Sequence, residues 1–200
     1  MTQIIGITGG IASGKSTVVG FIREAGYEVI DADQVVRDLQ EKGGRLYHVL
    51  LETFGHGILK ASGDLDRKKL SDLIFSNPDH MVKSSQVQNQ IIKEELAIRR
   101  DCVSKSHSVF FMDIPLLIEL GYQNWFDAIW LVCTDEKKQL SRLMTRDQLS
   151  LKEAKQRTAS QLPMIEKKSY AHLIINNNGN LESLKEHVQQ ALSSLVREGE

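Results

Sequence analysis

The sequence predicts an α/β fold: a five-stranded parallel sheet, doubly wound, with helices on both faces. Three observations predict it. Short apolar, β-rich runs recur and alternate with helix-period segments. The first of these runs, Gln3 to Thr8 (QIIGIT), ends directly in glycines, as a strand buried on both faces does where it feeds a tight loop. A long helical stretch separates the second strand from the third, and no internal repeat or low-complexity tract interrupts the pattern.

The elements follow in order. Val18, Val19, Ile22 and Ala25 fall at helical spacing after the glycines, and Gly26 suits a C-terminal cap. Glu28 to Asp31 (EVID) reads as the second strand, so the opening is a strand–loop–helix–strand unit. Residues 34–106 read as helical: Asp66 caps one helix through Leu70, Leu73 and Ile74, and another follows Pro78 past Ile91, Ile92 and Leu96. Val109 to Met112 and Ala128 to Cys133 are strands, and 135–146 is a helix. Ser150 and Glu153 form a capping box. His172 to Ile175 is the last strand and Leu181 to Val196 the closing helix. The reading is one domain over 1–200, with a helical insertion at 34–106 and a lid region at 142–168.

The chain has 200 residues, 25 Lys plus Arg against 26 Asp plus Glu, and a formal net charge of −1. That balance argues against binding duplex nucleic acid, which calls for a strongly basic field. No stretch approaches the roughly 20 apolar residues of a membrane span, and the start MTQIIGITGG lacks the basic and apolar regions of a signal peptide. Cys102 and Cys133 have no metal-like spacing and are expected to be buried thiols of a reducing cytoplasm. The six histidines are scattered and no catalytic role is assigned to them.

The chemistry is carried by residues 9–16, Gly-Gly-Ile-Ala-Ser-Gly-Lys-Ser, which satisfy the P-loop pattern between a strand and a helix. Glycines let consecutive backbone N–H groups wrap a phosphate, and the helix starting near Lys15 adds its positive end. Lys15 reaches the outer phosphates, and the Ser16 hydroxyl suits a bridging Mg²⁺. The pattern points to a nucleoside triphosphate, and no Asn-Lys-x-Asp segment of a GTPase is present. Asp31 and Asp33, two apart at the end of a strand, would face one side, where one is a base for an acceptor hydroxyl or Asp33 caps the following helix. Asp113 closes a strand and is either a metal-holding acid or a solvated end. Arg142 and Arg146, four apart, share a helix face, and with Arg157 beyond them form either a phosphate lid or a solvated basic face.

With these blocks in place, the sequence resembles the dephospho-CoA kinase family over nearly its whole length. TGGIASGKST resembles the family's TGGIGSGKST, with Ala12 in place of a glycine. VIDADQVVR, GDLDRKKLSDLIF, IPLLIE, QLSRLMTRD and INNNG resemble its later blocks in order. The family's frequent His-Pro is Asn89-Gln90 here, and its Ala-Asp is Ala171-His172. Ala12 should be tolerated if its φ is negative.

The resemblance implies a P-loop kinase fold and transfer of the ATP γ-phosphate to the ribose 3′-hydroxyl of dephospho-CoA. It implies Asp33, Lys15, Arg142 and Arg146 as catalytic residues. ATP would be held by Gly10, Ile11, Ala12, Ser13, Gly14, Lys15, Ser16, Thr17 and Asn177. The acceptor would meet Asp33, Arg37 and Leu116, with the helical middle as its lobe. Mg²⁺ on Ser16 is the expected cofactor, and ATP and dephospho-CoA the partners, in a cytoplasmic and preferentially monomeric protein. Asp113 becomes secondary on this reading. Another small P-loop kinase, acting on a nucleotide or sugar acid, and a nucleotide-dependent switch without transfer activity are the alternatives.

Overall fold

β1 (Gln3–Gly9) lies in the middle of a five-stranded sheet ordered β2-β3-β1-β4-β5. The other strands are β2 (Val29–Asp31), β3 (Val109–Asp113), β4 (Ala128–Cys133) and β5 (Leu173–Asn176). β1 pairs in parallel with both β3 and β4, and β4 with β5. The computed structural model describes residues 2–197; Met1 and 198–200, the ends of the expected span, lie outside the described residues.

Residue contacts divide the chain into two compact units, one of residues 1–30 with 106–200 and the other of residues 31–105. In the first, strand alternation sends Ile5 and Ile7 of β1 to one face. They join Phe111, Trp130, Val132 and Ile175 there. α1 (Lys15–Glu24) and α9 (Leu181–Arg197) cover that face with Val18, Val19, Ile22, Leu184, Val188 and Leu192. On the opposite face Gly6 leaves room for Leu117 and Phe126, which a side chain there would strike at 2.6–2.9 Å. α6 (Glu136–Asp147), α7 (Leu151–Ala159) and α8 (Met164–Ser169) complete the unit. The Ser150–Glu153 capping box forms as expected: the Ser150 hydroxyl accepts the Glu153 N–H, and the Glu153 carboxylate accepts the Ser150 N–H.

The second unit is helical: α2 (Ala32–Leu39), α3 (Arg45–Phe54), α4 (Arg67–Phe75) and α5 (Pro78–Val103). Asp66 caps α4 as expected, accepting from Lys69 N–H at 3.1 Å. Asn77 caps α5, with Pro78 in the first turn, where its missing N–H costs nothing. Arg99 ties α5 to α2 through Asp38 at 2.8 Å. A hydrogen bond from Gln34, joined by Arg99, holds the Asp38 carboxyl below its ordinary range.

Two expectations are corrected here. Asp31 and Asp33 do not share a strand: β2 ends at Asp31, which caps α2 by accepting Gln34 N–H at 3.0 Å, and Asp33 stands in the helix's first turn. The short local hydrogen bond won over strand continuation. The cysteines also differ from one another. Cys133 is buried, and burial pushes its thiol up, whereas Cys102 is exposed near the end of α5. Thiolate is the reactive form, so iodoacetamide is expected to alkylate Cys102 in the folded protein and Cys133 only after denaturation. Peptide mapping checks this, and prior modification of Cys133 would contradict it.

Candidate active site

The loop between β1 and α1 is built by close approaches that only glycine permits. A side chain on Gly9 would lie 2.7 Å from the Val132 carbonyl oxygen and 2.8 Å from Ser13 Oγ. Gly14 opens α1 at φ +92°, and a Cβ there would overlap the Asn177 side-chain amide at 2.0 Å. No side chain caps α1, and no acidic residue stands in its first turn. The helix therefore presents its positive end and first N–H donors toward the loop, as an anion site requires.

Lys15 follows at the first helical position. Its ammonium pairs with Asp113 Oδ1, and both side chains are largely buried, 17% and 9% exposed. The sheet register explains the meeting: Asp113 is the partner of Ile7 in β1, beside the loop's origin. Asp113 is thus more than the secondary strand-end acid expected; it holds the loop's cation in a definite place. Ser16 is exposed on the next position, and Ser13 Oγ is buried without a hydrogen-bond partner among the described residues.

Three side chains from the C-terminal half hold the loop from outside, and sequence reading missed two of them. Gln161 Oε1 accepts the Ile11 N–H at 2.9 Å, and Gln139 Nε2 donates to the Ile11 carbonyl at 2.9 Å. The Ile11 amide is therefore held by Gln161 in this structure. Asn177, expected at the nucleotide, donates its side-chain amide to the Ser13 carbonyl at 2.8 Å and is buried. It shapes the loop from beneath. No periodicity reveals these glutamines, because each acts across 128 or 150 residues of chain.

The two arginines of α6 separate. Arg142 reaches the Ser13 and Asn177 carbonyls at 3.5 and 3.4 Å, so it stands at the loop. Arg146 turns to its neighbour Asp147 at 2.7 Å, and Arg157 meets the same carboxylate at 2.6 Å. The Arg146 hydrogen bond holds the Asp147 carboxyl below its ordinary range. Helical spacing puts both arginines on one side of α6, but the adjacent acid diverts the second. Leu116 is 37% exposed, and Arg37 and Asp33 are exposed within their own unit. His172, standing where the family has an acid, accepts the Ile129 N–H on Nδ1 at 3.1 Å. That contact makes it a local strand-end partner.

The condition set for Ala12 is not met: its φ is +57°, in the left-handed region. A Cβ there costs about 1–2 kcal/mol, and glycine would return about 0.5–1 kcal/mol of that as unfolded-chain entropy. Ala12→Gly is therefore expected to leave stability unchanged or raise it by up to about 1.5 kcal/mol. Urea denaturation checks it, and a loss of stability would contradict the strain.

Comparison with known proteins now meets this geometry. The family model for dephospho-CoA kinase matches residues 3–183. A dephospho-CoA kinase of Streptococcus pyogenes is 68% identical over 194 residues, 97% of this chain and 98% of the relative. The solved dephospho-CoA kinase from Campylobacter jejuni superposes with a TM-score of 0.78 at 27% identity, covering all of both chains. A shikimate kinase from Acinetobacter baumannii, 15% identical with a TM-score of 0.53 over 99% of this chain and 95% of that one, shares the fold. With a family model matched over residues 3–183 and relatives 68% identical over nearly the whole length, this chain belongs to the dephospho-CoA kinase family.

Proposed function

We propose that the residues assembled around the β1–α1 loop carry out the family's reaction in this chain. The enzyme is an ATP-dependent phosphotransferase: it moves the ATP γ-phosphate to the ribose 3′-hydroxyl of dephospho-CoA, giving coenzyme A and ADP. The observation that carries the assignment of roles is Lys15 at the mouth of an uncapped helix, fixed by Asp113 beside the loop.

The roles follow from the charge that phosphoryl transfer spreads over the equatorial oxygens. The β1–α1 loop from Gly10 to Thr17 and the Lys15 ammonium hold the donor phosphates. Arg142 adds a second cation from α6. Asp33 accepts the proton of the attacking hydroxyl, and Arg37 and Leu116 contact the acceptor. The helical second unit serves as the acceptor lobe, and residues 142–168 as the lid. Gln139, Gln161 and Asn177 keep the loop in shape.

Mg²⁺ fits the donors present. Among the described residues no group of three or more His, Cys, Asp or Glu side chains is placed to hold a metal. Mg²⁺ binds through one or two protein oxygens and otherwise phosphates and water, and Ser16 is exposed beside Lys15 at the start of α1. The Ser16 hydroxyl would supply that oxygen. When bound, the ion would offset the negative charge that develops on the phosphates during transfer. No helix among the described residues is long and apolar enough to cross a membrane. We place the enzyme in the cytoplasm.

Two measurements test this reading. ADP release should be stimulated by dephospho-CoA and not by nucleoside monophosphates or shikimate; the reverse preference would reject the acceptor. Asp33→Asn should lower kcat by about 10²- to 10⁴-fold, the usual worth of a general base, with KM for ATP unchanged. A kcat within a few-fold of the parent would remove Asp33 from the base role.

A further inference from the structure

The conspicuous group left without a role is a buried ion pair in the first unit. Lys167, in α8, is fully buried, and its ammonium lies 2.6 Å from Glu119 Oε1. Glu119 ends the IPLLIE block, and its Oε2 has no hydrogen-bond partner among the described residues. Such a pair is a poor source of stability, because taking both charges out of water costs about as much as their attraction returns. Its surroundings suggest a different use. Glu119 Oε1 also accepts the Leu162 N–H at 3.3 Å. Leu162 follows Gln161, whose side chain holds the Ile11 N–H of the phosphate loop at 2.9 Å. A side chain on Gly10, the preceding loop residue, would lie 3.1 Å from Met164 Cε in the same turn.

We propose that Glu119 and Lys167 are positioning residues: together they pin the α7–α8 turn so that Gln161 presents its carbonyl to Ile11 and fixes the phosphate loop for ATP. The carboxylate sits at a branch point, joined to the α8 cation on one side and to the backbone next to Gln161 on the other. Neither residue touches the nucleotide. They act through one hydrogen bond on the loop's first turn. This inference rests on the nucleotide reading of residues 9–17.

The test compares Glu119→Leu/Lys167→Met, Gln161→Met, their combination and Lys167→Arg. The double apolar variant should keep or raise Tm, since a buried pair replaced by well-packed apolar groups is often neutral or stabilising. Its KM for ATP should rise about tenfold, the worth of one hydrogen bond, with kcat much less affected. Gln161→Met should give the same rise, and the combination should add nothing further. Lys167→Arg should keep the parent KM. Amide exchange at Ile11, which needs no turnover, should be slow in the parent and fast in both variants. An unchanged KM and Ile11 exchange in a stable double variant, or in Gln161→Met should the double variant not fold, overturns the proposal. So do additive effects. Slow Ile11 exchange in a parent that fails to bind ATP would instead overturn the nucleotide reading and leave the relay's geometry standing.

Discussion

Lys15→Met is expected to lower kcat by about 10³-fold, the scale of removing one preorganised charge from the transition state. Two effects add. The transferring phosphoryl group loses the cation that α1 carries at its first position. Asp113, only 9% exposed, loses the ammonium that offsets its buried charge. The second effect predicts a fall in Tm as well, because removing one partner of a buried pair is strongly destabilising. The double variant Lys15→Met/Asp113→Asn should recover Tm but not kcat. Steady-state ADP formation and thermal unfolding separate the two losses, and recovered kcat would show that Lys15 serves the fold rather than the phosphates.

Arg142→Ala is expected to reduce kcat by about 10³-fold, the lower end for an arginine acting on a transferring phosphoryl group. Arg146→Ala should cost at least about tenfold less, since only a group already aimed at the developing charge acts without reorganising. Arg142 already stands at the Ser13 carbonyl. Arg146 is 57% exposed on its side chain and held by Asp147. Such exposed pairs are weak, about 0–1 kcal/mol, so Arg146 is diverted rather than locked. Rapid-quench measurement of the first turnover checks the order, and equal losses would mean that Arg146 swings to the loop during catalysis.

Much of this molecule was legible in the sequence because its signals are local. Ser150 and Glu153 are three residues apart and make their capping box without outside help. Asp66 caps α4 by the same short-range bond. The strand Ala128–Cys133 is a continuous apolar run that a two-sided parallel sheet requires. The phosphate loop is local too, and its glycines answer to contacts within or beside it. What stayed hidden depends on distant chain. Lys15 meets Asp113 across 98 residues through the register of β1 with β3. Gln139 and Gln161 read as ordinary polar residues until the fold brings them to Ile11. The sign of φ at Ala12 is set by the loop it closes, and composition carries no trace of it.

The ribose 3′-hydroxyl of dephospho-CoA receives the γ-phosphate of ATP. ADP formation measured with dephospho-CoA and with its 3′-deoxy analogue tests it most directly. Turnover is expected with the first and none above the acceptor-free background with the second. Equal ADP formation with both would contradict it.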